Sequence, residues 1–273
     1  MIRAQDAGLR ASARRVGAMA LRYLYLLRSS GPRVLELFYW PTVQLVLWGF
    51  ITRFFVQHSD WLSQASGVLL AAVLLWDVLF RGQLGVSLAF FEEMYSRNLG
   101  QLFTTPLRPY ELILALLFIS FVRTLLGVGV AAVLAIPLFG FSIFDLGGAL
   151  VGFFANLLVM GWAIGLAVAA LVLRYGLGAE SLAWVAIFAI APVSGIYYPV
   201  SVLPGWLQPV AWVLPASHVF EGMRAIMFEH RLHVDDLLAA VGLNGLYLAL
   251  GVAVFLRAFR HARRQGTLLN TGE

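Results

Sequence analysis

The chain has 273 residues, of which 61% are apolar and 12% are charged, and its formal net charge is +5. A soluble domain carries roughly 45–50% apolar and about 25% charged residues, so this composition excludes an ordinary soluble protein and predicts a polytopic all-α membrane protein. The positive charge is explained by membrane topology and anionic lipid headgroups, so we expect membrane lipids rather than nucleic acid as partners.

Cysteine and lysine are both absent from the sequence. Without cysteine, the chain has no disulfide, no thiolate metal site and no cysteine nucleophile. Without lysine, a phosphate-binding loop of the form GxxxxGK[ST] is impossible. If ATP drives this protein, another subunit must hydrolyse it. We therefore expect no metal, no cofactor and no catalytic residue in this chain.

Residues 1–35 are predicted to form a cytoplasmic amphipathic helix, and no cleaved signal peptide is expected. At about 100° per residue, apolar residues such as Leu9, Tyr23 and Leu27 share one side, whereas most of the arginines lie opposite them. Such a helix is typical of the headgroup plane of a membrane. A solvated basic leader is the alternative.

Six apolar segments follow, within a transmembrane domain expected over residues 36–259. A helix needs about 20 apolar residues to cross a bilayer. A buried soluble helix would be the alternative for any one of them, but it would need a larger polar shell than this chain offers. The six predicted spans are approximately Phe38–Phe55, Gly67–Phe91, Leu112–Phe139, Leu146–Leu173, Leu182–Tyr198 and Leu237–Phe259.

The distribution of arginine predicts the orientation of these spans, because cytoplasmic flanks carry an excess of positive charge. Seven arginines precede the first span, and the tail over residues 260–273 is also basic. The connection between the second and third spans carries Arg97 and Arg108, whereas the connections near Gln57–Ser66 and Gly140–Asp145 carry none. We therefore expect both termini, and the connection after the second span, to be cytoplasmic.

Three charged residues, Asp77, Arg81 and Arg123, lie well away from the ends of their predicted spans, where charge is costly. Asp77 and Arg81 are four residues apart on one helix face, which favours a structural ion pair, with substrate contact or coupling as the alternative. Arg123 lies near the middle of the third span and indicates a helix packed against protein or a wet cavity. Its partner is left open between Asp77, Glu36 and a substrate headgroup.

The stretch Glu92–Glu111, here called the elbow, is charged and rich in proline, and it connects the second and third spans. Apolar residues recur among its polar ones at helical spacing, which predicts a short amphipathic helix of about three turns within residues 92–109. Pro106 and Pro109 stiffen the return to the third span. Such a rigid elbow can transmit a push into the membrane, and a merely well-packed turn is the alternative.

The segment after the fifth span contains Pro199, Pro204, Pro209 and Pro215, which cannot share one continuous helix. It is also too apolar for an ordinary external loop. These features predict a re-entrant hairpin over residues 199–217 that turns in the outer leaflet at Pro204-Gly205 and is covered by protein. A surface-lying aromatic anchor is the alternative.

Two other patterns point weakly to chemistry. His218, Glu221, His230 and His233, with the aspartates that follow, offer metal ligands but no recognised spacing. Ser194 with His218 suggests an intramembrane serine hydrolase, but no orienting acid is evident. The glycines of the fourth span predict close helix packing.

Two motifs resemble ABC-2 type transporter permeases. One is RNLGQLFTTPLRPYELILALL, which is similar to the coupling segment between the second and third spans of that family. The other is SGIYYPVSVLPGWLQPVAWVLPASHVFEGMRA, which resembles the segment after the family's fifth span and ends in an E-x-x-R-A pattern. With six spans and about 270 residues, the likeness covers essentially the whole chain.

The resemblance implies a permease subunit of a bacterial exporter in the cytoplasmic membrane. It would form a dimer and pair with two copies of a cytoplasmic ATPase subunit that binds ATP and Mg²⁺. Substrate, which we expect to be amphipathic or lipid-linked, would cross where the first, second and fifth spans of the protomers meet. The rival is an ion-coupled secondary transporter that uses Asp77, Arg81 and Arg123. A purely structural membrane scaffold is a further alternative.

The resemblance also implies roles for two sets of residues. The ATPase subunit would dock onto residues of the elbow, namely Glu92, Glu93, Arg97, Asn98, Leu99, Leu102, Phe103, Pro106 and Arg108. An outer gate would be formed by Tyr197, Tyr198, Pro199, Leu203, Pro204 and Trp206.

Overall fold

The computed structural model describes residues 8–58, 60–102 and 104–265. These residues form helices and turns, with no β-strand among them. Short 3-10 turns lie at Ile143–Leu146, Leu177–Ala179 and Val200–Val202. The α-helices in this part of the chain are α1 (Leu9–Arg28), α2 (Gly31–His58), α3 (Asp60–Tyr95), α4 (Asn98–Leu102), α5 (Pro109–Phe139), α6 (Gly148–Tyr175), α7 (Leu182–Ile190), α8 (Gln208–Val213), α9 (Pro215–Glu229) and α10 (Val234–Gln265).

Five of the described helices are long and apolar enough to cross a membrane. They correspond to the first, second, third, fourth and sixth predicted spans, and each begins before or extends beyond the predicted apolar core. Pro41 lies inside α2 without ending it. The five candidate spans are Gly31–Gln57, Gly67–Tyr95, Pro109–Phe139, Gly148–Tyr175 and Val234–Gln265.

The continuous helix predicted over Leu182–Tyr198 is wrong. Only α7 is helical there, with 9 residues, and turns follow it. Pro192 cannot donate the backbone hydrogen bond that would continue the helix, and Gly195 adopts a positive φ of 60°. A helix of this length rises only about 14 Å, which is less than half of the roughly 30 Å hydrocarbon core.

The segment nevertheless runs a long way across the bundle. At its start, Glu180 accepts a hydrogen bond from Tyr95, which is the last residue of α3 and part of the elbow. At its end, Tyr197 stacks on Trp48 of α2, with ring centroids 4.6 Å apart. Arg33, at the start of α2, is 15 residues before Trp48, or about 22 Å along a helix, and pairs with Glu92 in the elbow. The segment therefore extends from the elbow toward the opposite end of the bundle.

The core of the bundle lies where α3 and α6 cross, and glycine determines how closely they pack. Gly161 and Gly165 are four residues apart on α6. A Cβ atom at Gly161 would lie 2.7 Å from the Leu79 carbonyl oxygen and 2.8 Å from the Gln83 nitrogen of α3. The two backbones are therefore in direct contact, as expected for small residues at membrane helix crossings.

The two ends of the chain are described only in part. α1 packs Met19, Ala20, Tyr23 and Leu27 against the rest of the protein. Residues 1–7 of the predicted leader lie outside the described residues. In the predicted basic tail, α10 continues as helix to Gln265, and residues 266–273 lie outside the described part.

Candidate functional site

The elbow is shorter as a helix than its periodicity predicts. α3 continues through Glu92 and Glu93 to Tyr95, and Arg97 then adopts a φ of 54° in the left-handed region, which ends the helix. α4 has 5 residues rather than about three turns. A turn leads to Arg108, whose backbone N–H donates to Glu111 Oε2 at 2.9 Å at the start of α5. The two glutamates therefore belong to the last turns of α3 rather than to a separate helix.

The predicted docking residues divide by exposure. Glu93 and Leu99 are each only 1% exposed, so neither side chain lies on the surface. Glu92 is partly buried and faces other residues of the bundle. Phe103 lies outside the described residues. The remaining members are at least partly exposed, namely Arg97, Asn98, Leu102, Pro106 and Arg108.

The two buried carboxylates at the ends of the elbow bind arginines of α1. Arg22 donates to both oxygens of Glu93, at 2.6 and 3.1 Å. Arg15 donates to both oxygens of Glu111, at 2.7 and 2.9 Å, and Ser12 donates to it at 2.7 Å. Burial alone would lower the pKa of Arg22, but the hydrogen bond and charge of Glu93 raise it above its usual value. The Arg22 guanidinium therefore stays charged.

These arginines were expected to face lipid headgroups. The helical projection of α1 did show that they share a face, but their partners lie 71 and 96 residues away in the sequence. The only local signal was Glu111 in the first turn of α5. Its buried position, with 0% exposure, could not be predicted from that turn.

A cavity of about 480 Å³ lies among α1, α2, α3, α5 and α7. All three of the predicted intramembrane charges line it, together with Glu36 and Arg33. Asp77 and Arg81 form the predicted i,i+4 pair, with 2.9 Å between the carboxylate and the guanidinium Nε. Their side chains are 9% and 12% exposed. The pair is therefore largely withdrawn from solvent and neutralises itself.

Arg123 pairs with a residue that the sequence assigned to docking. Its Nη2 lies 3.6 Å from Glu92 Oε1, and the Nη2 of Arg33 lies 3.8 Å from the same oxygen. Both distances exceed the 2.7–3.2 Å of direct hydrogen bonds, so these are loose ion pairs. Glu92 therefore connects the elbow end of α3 to the cavity.

One wall of the cavity is aromatic. Phe80 of α3 lies 5.9 Å from Trp184 and 6.0 Å from Phe188 of α7, measured between ring centroids. Trp76 extends this wall along α3. Tyr197, from the predicted outer gate, also lines the cavity. The site thus combines a charged wall with an aromatic wall, which suits a ligand that has both polar and apolar parts.

The other predicted gate residues lie around a small separate cluster. Leu203 is buried there with Val200 and Ala211. The Tyr198 hydroxyl donates to the Pro192 carbonyl oxygen at 2.5 Å. Pro199, Pro204 and Trp206 are exposed, and Trp206 reaches 76% exposure. The 3-10 turn Val200–Val202 and α8 flank Pro204-Gly205, where the sequence predicted a turn between two short helical pieces.

The stretch over residues 196–211, here called the outer segment, is held by Glu221 and Arg224 of α9. Neither residue was part of the predicted gate. Glu221 Oε1 accepts a hydrogen bond from the Val200 N–H at 2.6 Å. Arg224 donates to the Ile196 carbonyl oxygen at 3.3 Å and lies 3.0 Å from Glu221. We call these two residues and their bonds to the outer segment the clamp. Glu221 and Arg224 belong to the E-x-x-R-A pattern of the sequence, which was the feature from which the clamp could have been predicted.

The structure joins only part of the weaker patterns: Asp236 contacts both His218 and His233, but Ser194 does not contact His218. The Ser194 hydroxyl donates to the Ile190 carbonyl oxygen, whereas the two ring nitrogens of His218 contact Asp236 and the Trp212 carbonyl oxygen. His233 lies between Glu229 and Asp236 at 3.6 and 3.5 Å. Across the part of the chain that the structure describes, no group of three or more such ligands has a metal-binding arrangement.

The family model of the ABC-2 type transporter matches residues 32–228, which include the elbow, the cavity charges and the outer clamp. The chain belongs to this family. An ABC-2 permease is a transport domain that is not itself catalytic, and such permeases generally work with an ABC ATPase. This ABC-2 permease is a multi-pass membrane protein. No match was found among curated proteins.

Proposed function

We propose that this ABC-2 permease is the transmembrane subunit of an exporter that moves an amphipathic or lipid-linked substrate outward. The family match over residues 32–228 carries the proposal. Because the sequence contains no lysine for a phosphate-binding loop, ATP and Mg²⁺ bind a separate cytoplasmic ATPase subunit, present in two copies. The permease itself forms a dimer in the bacterial inner membrane.

The chain crosses the membrane six times, with both termini in the cytoplasm. The arginine-rich flanks of α2 and α10 and the arginines of the elbow support this orientation. The fifth crossing is a broken one, made by α7 and the turns that follow it. The contacts of Glu180 with Tyr95 and of Tyr197 with Trp48 support a path of this kind. Ser194, Gly195 and Ile196 of the irregular backbone are buried against protein, as such a crossing requires.

The elbow is the docking surface of the ATPase. Its exposed cations, Arg97 and Arg108, flank the half-buried Leu102, so a partner can be held by charge and by an apolar contact. Glu92 and Glu93 act from inside, because one contacts the cavity and the other contacts α1. Movement of the ATPase would therefore shift the end of α3 and loosen the ion pairs at the cavity.

The cavity is the protomer's share of the substrate path. Its walls come mainly from α2, α3 and α7, which correspond to the first, second and fifth spans expected at the dimer seam. The aromatic wall accepts the apolar part of a substrate, and the paired charges accept its headgroup. Tyr197 and the hairpin of residues 199–217 form the outer gate.

The experiment measures transport and ATP hydrolysis together. The permease is reconstituted with its proposed ATPase subunit, and outward movement of a fluorescent phosphatidylethanolamine is followed by quenching with an impermeant reductant. Replacing Leu102 and Phe103 by Ser should abolish ATP-dependent transport while dimer assembly and hydrolysis persist. Gln101→Ser, on the exposed side of α4, is the matched control. Normal transport by the Leu102 and Phe103 variant would reject the coupling role.

The rival secondary transporter makes a different prediction in the same vesicles. An ion-coupled carrier would move the lipid without the ATPase when an ion gradient is imposed, and Asp77→Asn would stop it. Transport that requires the ATPase and ignores the gradient would exclude this mechanism.

A further inference from the structure

We infer that α1 and the elbow form one mechanical unit, in which Arg15 and Arg22 are positioning residues for the two ends of the elbow. The inference rests on the proposed role of the elbow and extends it. α1 then belongs to the motor interface, in addition to any contact it makes with lipid.

The spacing of the two arginines matches the two ends of the elbow. Arg15 and Arg22 are seven residues apart, which places them two turns apart on the same face of α1. Arg22 reaches Glu93 at the end of α3, and Arg15 reaches Glu111 at the start of α5. One rigid helix therefore spans the elbow from one end to the other.

The two arginine–glutamate contacts are strong because of their geometry and burial. Each guanidinium donates to both oxygens of its carboxylate, and this two-pronged geometry fixes orientation as well as distance. Glu93 and Glu111 are 1% and 0% exposed, so solvent cannot replace the arginine if the contact breaks. Ser12 adds a further hydrogen bond to Glu111 at 2.7 Å. The elbow cannot move far without α1.

The face of α1 that points away from the bundle carries exposed side chains. Arg10, Arg14 and Arg28 are exposed, and Leu21 and Tyr25 are 50% and 62% exposed between them. The arginines of α1 thus divide into an exposed set and a set that binds the elbow. The exposed set supplies matched controls for the bound set on the same helix.

Hydrogen exchange of the purified permease in lipid nanodiscs tests the inference. In the unmodified protein, amides of α1 and of residues 96–105 should exchange through a shared opening with similar protection. Arg22→Gln and Arg15→Gln should each lower protection in both regions by about tenfold or more, whereas α6 and α10 remain unchanged. Arg14→Gln, the control, should leave both regions as they are.

The conservative variants Arg22→Lys and Arg15→Lys keep the charge but lose the two-pronged geometry. They should show a smaller loss of protection in the same two regions, and they provide the test if the glutamine variants do not fold. Protection that falls only in α1, or across the whole bundle, would overturn the inference. The inference would also be overturned if the amides of α1 and of residues 96–105 exchanged at the same rates in Arg15→Lys and Arg22→Lys as in Arg14→Lys. The ATPase and transport are not involved, so failure of the proposed function would not affect this result.

Discussion

Glu92 Oε1 lies 3.6 Å from Arg123 Nη2, and this contact joins the elbow end of α3 to the middle of α5. The neighbouring Glu93 points to α1 instead and binds Arg22. Two adjacent carboxylates therefore connect the same helix end to two different places. A displacement of the elbow would therefore disturb its contacts with both the cavity and α1.

The first prediction compares the two ion pairs of the cavity. Asp77 and Arg81 are largely buried and 2.9 Å apart, so a double-mutant cycle with Asp77→Asn and Arg81→Gln should give a coupling of about 1–3 kcal/mol in thermal unfolding in detergent. Glu92 and Arg123 are looser and partly exposed, so the same cycle there should give less than about 1 kcal/mol. Each double variant should recover part of the loss of its single variants.

The control for both cycles combines Asp77→Asn with Arg123→Gln. These two residues line one cavity, but Arg123 pairs with Glu92, so their effects should add. Strong coupling between Asp77 and Arg123, with none between Asp77 and Arg81, would contradict the observed pairing.

The second prediction concerns the crossing of α3 and α6. Gly161→Ala places a methyl group against the backbone of Leu79 and Gln83, which cannot rotate away. We expect a loss of about 1–3 kcal/mol of stability, measured as a lower unfolding temperature in detergent. Gly245→Ala on α10 meets no atom within 4 Å and is the matched control, with an expected effect below about 1 kcal/mol. Equal effects at both glycines would show that the crossing is not closely packed.

The third prediction concerns orientation. Cysteine introduced at Ser201 or Gly205 should react with an impermeant thiol reagent added to the outside of spheroplasts, and the background has no cysteine of its own. Thr105→Cys, exposed in the elbow, should react only after the membrane is permeabilised. The reverse pattern of labelling would invert the proposed topology.

The fourth prediction concerns the clamp between α9 and the outer segment. Ser194 is 0% exposed, so Ser194→Cys should react slowly with the same reagent. Arg224→Gln removes the bond to the Ile196 carbonyl and should raise the labelling rate about tenfold, equivalent to about 1.4 kcal/mol of closing free energy. Arg231→Gln, exposed just beyond α9, serves as the control. An unchanged rate in Arg224→Gln would show that the clamp does not hold the segment closed.

The five long apolar helices were predictable from composition and periodicity. A membrane span needs a long apolar run, and the residues of such a run are neighbours in the sequence. The pairing of Asp77 with Arg81 was predictable for the same reason, since both lie on one helix face. The break after α7 was signalled by Pro192 and Gly195, but the apolar content of the segment outweighed that signal.

The long-range ion pairs of the site could not be predicted from a single sequence. Glu93 and Glu111 look like surface charges of an elbow, and only the fold brings them to α1. Glu92 was not considered as the partner of Arg123 for a similar reason, because its position in the sequence assigned it to the elbow. In each case a long-range ion pair changed the role that the local pattern indicated.

The small cluster of Val200, Leu203 and Ala211 is separate from the two large cores of the bundle. A swing of residues 200–211 would therefore leave the apolar packing within this cluster intact. The free energy of such a swing would depend chiefly on the few polar bonds to Glu221 and Arg224 and on the Tyr197 ring, rather than on exposure of a large apolar surface. Single substitutions at these positions would then change the free energy of this movement without altering the packing of the two large cores.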